Sequence, residues 1–237
     1  YSVAWIDLMA RGKHLGRSVL TRGEHARREE LSPRQSADPL HFDPRPAVTL
    51  PTGLDRMLPR RGVLTPATVA TFNEAWFRKA PRHRVAEVVT LSQFFHPLDA
   101  VRRWNRLHGR HGFVQYQFFV PFGETVALRH VIERLADSKT TSFLAVLKRF
   151  GAASQAPLSF PRPGWTLALD IPAASGGLAE LFADLDEIVL TAGGRHYLAK
   201  DSATTPDAIR RGYPRLQEWQ RVRDRVDPHR RWVSDQA

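Results

Sequence analysis

The sequence predicts an α+β fold, an antiparallel sheet with helices packed on one face. Three observations carry this. Strand-like and helix-like stretches alternate through the middle of the chain. The strand-like stretches alternate apolar with polar residues, whereas parallel strands covered on both faces read as near-continuous apolar runs. The 237 residues, 42% hydrophobic and 25% charged, supply a sizeable core for one large domain or a domain and a fragment.

The elements follow in order. Residues 2–7 and 16–21 read as strands. Residues 22–64 are rich in Arg and Pro with little periodicity, a long excursion for a compact domain. Thr65-Pro66 starts a helix over 67–77, because Thr caps and Pro suits the first helical position. Pro97 opens a second helix through Asp99, Val101 and Trp104. Residues 113–120 form a strand. Residues 125–136 form an amphipathic helix with Val126, Leu128, Val131, Ile132 and Leu135 at helical spacing. Strands follow at 142–150 and 165–171. A helix over 178–190 is closed by Gly193-Gly194. A strand at 195–199 and helices from Thr205-Pro206 and over 216–226 complete the chain.

Composition excludes several chemistries. The chain has no cysteine, so it has no disulfide, thiolate metal site or cysteine nucleophile. No apolar run approaches the roughly 18 residues of a membrane span. The net charge is +11, and only five of the 35 basic residues are lysine. A basic balance points to an anionic partner. Its even spread along the chain argues against a dedicated nucleic-acid patch, although a basic nucleic-acid module stays open as an alternative. There is no G-x-G-x-x-G, Walker A, G-x-S-x-G or H-E-x-x-H motif. His108 and His111, interleaved with Gly109 and Gly112, read as loop histidines rather than metal ligands.

Strand sidedness locates a candidate site. Successive side chains of a strand point to opposite faces. In residues 113–120 the even positions Val114, Tyr116, Phe118 and Val120 form a core face. The odd positions place Gln115 and Gln117 between Phe113 and Phe119. In 165–171, Thr166, Ala168 and Asp170 form a small, polar face opposite Trp165, Leu167, Leu169 and Ile171. In 142–150, Lys148 lies between Val146 and Phe150 on one face. Isolated polar groups among aromatics are typical of a ligand wall, and a face that meets water is the alternative.

A group of segments carries a resemblance. These are residues 1–7 (Tyr1 to Asp7), 91–99 (Leu91 to Asp99), Trp104-Asn105-Arg106, 112–118, 142–151, 155–161, Pro163-Gly164-Trp165, and Gly193-Gly194-Arg195-His196-Tyr197-Leu198-Ala199-Lys200-Asp201-Ser202. Together they resemble, collinearly, the C-terminal half of the decaprenylphosphoryl-β-D-ribose 2′-oxidase family, FAD-linked oxidases of the vanillyl-alcohol-oxidase-like superfamily. The resemblance implies a substrate domain over residues 1–193. It also implies a C-terminal segment over 194–237 that returns to an N-terminal FAD-binding domain outside this chain. The start at Tyr1 is then expected to be a domain junction.

The implied reaction is hydride transfer from a sugar hydroxyl carbon to FAD, giving a keto sugar that a partner reductase completes to the epimer in cell-wall arabinan precursor synthesis. The implied substrate is a phosphorylated polyprenyl sugar, with no nucleic acid. The implied location is cytoplasmic or membrane-associated through the lipid, the periplasmic face included. Lys200 and Tyr197 match the catalytic and flavin-contacting pair. Gln115, Gln117 and Lys148 match substrate-facing polar residues. Trp5, Val146 and Phe150 match apolar pocket walls. Phe95 stands where a tyrosine is usual and Thr166 where an asparagine is usual, which leaves a related sugar-lactone or alcohol oxidase as an alternative. Ala168 stands where some members carry a cysteine, so thiol-directed inhibitors are expected to find no target. Asp170 completes the implied substrate set. The isolated chain is expected neither to hold FAD tightly nor to turn over.

Overall fold

The computed structural model describes residues 1–39, 48–49, 62–96, 101–102, 104–138, 140, 142 and 144–233. Its strands are β1 (Ser2–Ile6), β2 (Ser18–Arg22), β3 (Val48–Thr49), β4 (Val101–Arg102), β5 (Phe113–Pro121), β6 (Leu144–Phe150), β7 (Gly164–Pro172) and β8 (Arg195–His196). The α-helices are α1 (Pro33–Ala37), α2 (Pro66–Lys79), α3 (Leu91–Phe95), α4 (Thr125–Asp137), α5 (Leu178–Thr191), α6 (Pro206–Gly212) and α7 (Leu216–Val226). Six strands form an open sheet in the order β2-β1-β6-β7-β5-β8. The fold is α+β, as the alternating strands require.

The chain divides into two compact units. The first comprises Tyr1–Val114, Lys139–Val146 and Asp170–Ser175. Here β1 and β2 pair antiparallel, with Trp5 opposite Val19. The hairpin is anchored by Asp7, a buried carboxylate at the end of β1. It accepts hydrogen bonds from the Met9 amide at 2.9 Å, Arg17 Nε at 2.8 Å and Asn73 Nδ2 at 2.7 Å. A buried charge is tolerated when paired and hydrogen-bonded in this way. Asn73 lies on α2, whose first turn is capped by Thr65 and opened by Pro66.

The second unit comprises Gln115–Ser138, Leu147–Leu169 and Gly176–Ala237. Its core is the even face of β5. Tyr116 and Phe118 are fully buried, and the Tyr116 ring stacks on Phe182 of α5 at 5.1 Å. α5 packs against α4, which buries Leu128, Val131, Ile132 and Leu135. β8 pairs antiparallel with β5, setting His196 opposite Phe118 and Arg195 opposite Phe119.

Four expectations change. The strand expected at 195–199 ends at His196, and a 3₁₀ turn over Leu198–Ala203 follows. Tyr197 still donates its amide to the Gln117 carbonyl at 2.8 Å, but the Lys200 amide turns back to the Tyr197 carbonyl at 2.9 Å. Val126 is exposed rather than part of the apolar stripe, because two residues before Leu128 it lies on the other side of α4 from that stripe. The helix expected from Pro97 does not run through Val101: that residue is in β4, where it pairs in parallel with Val48. Pro97 and Asp99 lie outside the described residues. His108 is no loop histidine; it ends a 3₁₀ turn over Trp104–His108 and is 1% exposed.

Candidate functional site

The odd face of β5 carries the polar cluster. Gln115 and Gln117 sit two residues apart on that face, between the β7 and β8 neighbours. Gln117 Nε2 donates to Thr166 Oγ1 on β7 at 3.1 Å. Gln115 Oε1 accepts from the Lys200 ammonium. Lys200 sits on the 3₁₀ turn after β8, where its backbone (φ −129°, ψ 40°) is not helical and breaks the turn in two. Among the described residues no carboxylate pairs with Lys200, so a neutral amide is its hydrogen-bonding partner.

Aromatic packing fixes the neighbouring side chain. The Tyr197 ring stacks on Phe160 at 4.4 Å, with the planes 26° apart. Phe160 is buried and meets the edge of Phe150 at 5.5 Å. Tyr197 is therefore held flat on a buried support, one turn from Lys200.

A buried network lies on the opposite face. Tyr116 donates its hydroxyl to Asp186 Oδ1 at 2.6 Å. Burial and the adjacent Asp186 carboxylate push the Tyr116 phenol well above its ordinary range. His196 Nδ1 lies 3.8 Å from the same oxygen, and His196 Nε2 lies 2.7 Å from the Lys200 carbonyl. Tyr213 donates to the His196 carbonyl at 2.7 Å, and burial pushes its phenol up to about 12. Arg195, opposite Phe119 and so on the odd face, is buried, donates Nη1 to the Ser159 carbonyl at 2.9 Å and lies over the Tyr213 ring at 5.0 Å. Desolvation lowers its affinity for the proton.

The structure thus joins Gln115, Gln117, Thr166, Lys200 and Tyr197 on one face of the second unit. Lys148, in β6, is exposed, and Ala168, in β7, is half-buried. Trp5, Phe95, Val146 and Asp170 belong to the first unit. Trp5 and Val146 are half-buried, and Asp170 is buried. Phe95 ends α3, with its ring against Phe94 and Tyr1 at 4.9 and 5.4 Å. Sequence reasoning missed Tyr116, Asp186, His196 and Phe160. A signal for the first two existed: a tyrosine on a core face must find a hydrogen-bond partner, and Asp186 interrupts the apolar stripe of Phe182, Leu185 and Val189. Among the described residues no cluster of histidine and carboxylate side chains is arranged to hold a metal.

A family model for D-arabinono-1,4-lactone oxidase matches residues 108–237, which include the whole of the cluster around Lys200. The chain belongs to the D-arabinono-1,4-lactone oxidase family. Within this family context, two relatives align over the full chain. A decaprenylphosphoryl-beta-D-ribose oxidase of Mycolicibacterium smegmatis is 42% identical over 237 residues, which are 50% of its own length. An uncharacterized protein in the mprA 5'region of Streptomyces coelicolor is 36% identical over 239 aligned positions, 64% of its length. The chain therefore spans half to just under two thirds of these relatives, and the resemblance to the C-terminal half of the ribose oxidases holds.

The donor set fits the edge of a flavin ring. An ammonium bonded to a neutral amide, with no carboxylate pairing among the described residues, keeps donors available for an anionic or carbonyl edge. The stacked Tyr197 and Phe160 rings give a flat neighbour to a planar group. Lys200, Tyr197 and Gln115 are the residues that would hold that edge.

Proposed function

We propose that this chain is the substrate-binding part of an FAD-dependent oxidoreductase that oxidises a sugar hydroxyl, the 2′-hydroxyl of a polyprenyl-phosphoryl ribose, to a ketone. The single observation that supports it best is the Lys200 ammonium held on Gln115 beside Gln117, Thr166 and Tyr197. FAD, when bound, supplies the hydride acceptor. Lys200 Nζ stabilises negative charge where it develops during transfer. Gln115 orients the ammonium, and Gln117 with Thr166 presents amide and hydroxyl groups to the sugar. Lys148, Phe150 and Ala168 are the further proposed substrate residues of the second unit, and Trp5, Phe95, Val146 and Asp170 are those proposed in the first.

Residues 1–193 are assigned to the substrate domain and 194–237 to a segment that returns to an FAD-binding domain. The α7 helix supports this second assignment. None of its residues is buried, and Trp219, Val222 and Val226 form an exposed stripe at helical spacing. The proposed partner is a keto-sugar reductase acting in arabinan precursor synthesis. Contact with a membrane would come through the lipid substrate, since among the described residues no helix is long and apolar enough to span one. A second reading, oxidation of a sugar lactone, is favoured by the name of the matched family model.

The test is Lys200→Ala in the full-length flavoprotein, with anaerobic flavin bleaching followed on both substrates. The expected outcome is bleaching by prenyl-phosphoryl ribose and a loss of about 10²–10³ in its rate in the variant. Bleaching by the lactone alone supports the second reading. A variant as fast as the parent removes Lys200 from the chemistry.

A further inference from the structure

We propose that His196 is the positioning residue that sets the Lys200 turn, with Asp186 and Tyr116 as its buried backing. The geometry rests on a defect in the backbone. Lys200 departs from helical φ/ψ in the middle of the 3₁₀ turn, and the chain kinks there. The His196 ring gives its carbonyl a side-chain partner through Nε2 at 2.7 Å. A carbonyl only accepts, so Nε2 carries a proton.

The ring itself cannot drift. His196 is 2% exposed and sits in the β8 register opposite Phe118. The Tyr116 ring meets it edge-on at 5.0 Å. Asp186 Oδ1, held by the Tyr116 hydroxyl, lies behind Nδ1 at 3.8 Å. Tyr213 clamps the His196 carbonyl from the other direction. One residue later the chain crosses to the polar face, and three residues after that Lys200 reaches Gln115. Packing thus links Tyr116 and Asp186 to the His196 ring, and one hydrogen bond links that ring to the main chain of the residue whose ammonium lies on the polar face. The side chain of the last strand residue thus bonds the carbonyl of the turn that follows.

The positioning claim concerns this chain alone; its consequence for turnover rests on the function proposed above. The experiment compares His196→Gln with His196→Asn in the full chain. Gln places an amide donor at the depth of Nε2, whereas Asn places one only at the depth of Nδ1. The first readout is acylation of Lys200 by an amine reagent, quantified by mass spectrometry against the exposed Lys148 in the same molecule. His196→Asn is expected to raise the Lys200:Lys148 ratio roughly fivefold, the factor expected for loss of one hydrogen bond of about 1 kcal/mol. His196→Gln is expected to stay within about twofold of the parent on the same scale. The second readout, in the flavoprotein, is a fall in kcat with KM little changed for Asn and recovery for Gln.

Equal ratios in parent, Gln and Asn forms overturn the proposal. So does an equal rise in both variants that tracks a shared loss of thermal stability, since that marks a general packing role. If His196→Asn fails to fold, Asp186→Asn provides the second variant. It keeps an acceptor for Tyr116 and removes the charge behind Nδ1, and a Lys200 ratio unchanged from the parent then overturns the backing role. A changed acylation ratio with Lys200→Ala fully active sinks the functional reading while leaving the positioning role intact.

Discussion

His108 is 1% exposed, and among the described residues neither of its ring nitrogens finds a hydrogen-bond partner. Its ring lies 4.5 Å from Phe113 and 6.1 Å from Trp104. Burial among aromatics disfavours the imidazolium and lowers its pKa from the ordinary 6.5. The unfolded chain therefore binds this proton more tightly than the folded one. The contribution of neutral His108 to stability is complete above the unfolded value and is lost as pH falls through it toward the lowered folded value. Urea denaturation at pH 8 and pH 5 is expected to show a fall in stability that shrinks in a His108→Phe variant. An identical pH dependence in parent and variant would sink the assignment. At the same scale, one proton on His196 Nε2 and one on the Tyr116 hydroxyl define the buried network. Hydrogen bonding that depends on which residues meet in space leaves no period in the sequence.

Two glycines let β5 fit between its neighbours. A Cβ at Gly164 on β7 would overlap the Val120 carbonyl and the Phe119 ring, and one at Gly194 would overlap the Phe119 carbonyl. This is how Phe119, on the mixed face of β5, comes to be fully buried. Gly164→Ala is expected to destabilise by about 1–3 kcal/mol, since backbone must move to admit the methyl group. Gly151→Ala, with nothing within 4 Å of the new Cβ, is expected to stay within about 0.5 kcal/mol of the parent. Chemical denaturation checks both, and equal midpoints would show that the close approach carries no weight. Alternation in β5 and β7 made the core and polar faces legible, because a period of two follows directly from strand geometry. The amides Gln115 and Gln117 and the hydroxyl of Thr166 were legible for the same reason. The two-residue length of β8 was not: residues 195–199 fit a strand locally, yet after His196 the backbone turns and the Lys200 amide bonds back to the Tyr197 carbonyl. Nor was β4, whose backbone pairs with β3, some fifty positions earlier in the chain.

At the scale of the whole molecule, the question is what this chain can hold by itself. The cluster around Lys200 offers an ammonium, two amides, a hydroxyl and a stacked tyrosine, all on one sheet face. That set suits the edge of a planar ring. A dinucleotide also needs a cradle for its pyrophosphate, usually backbone amides of a glycine-rich turn at a helix start. None of the 15 glycines falls in a G-x-G-x-x-G pattern. The net charge of +11 attracts a pyrophosphate at long range but gives it no fixed seat. Ring-edge contacts alone leave most of the ligand solvated. The 237-residue chain purified alone is therefore expected to be colourless, and FAD added to it is expected to separate on gel filtration. Raising the salt should abolish any residual retention, because that retention would be electrostatic. Visible flavin absorbance that stays with the chain at high salt would place a complete cofactor site within these residues and overturn the division of labour proposed for residues 1–193 and 194–237.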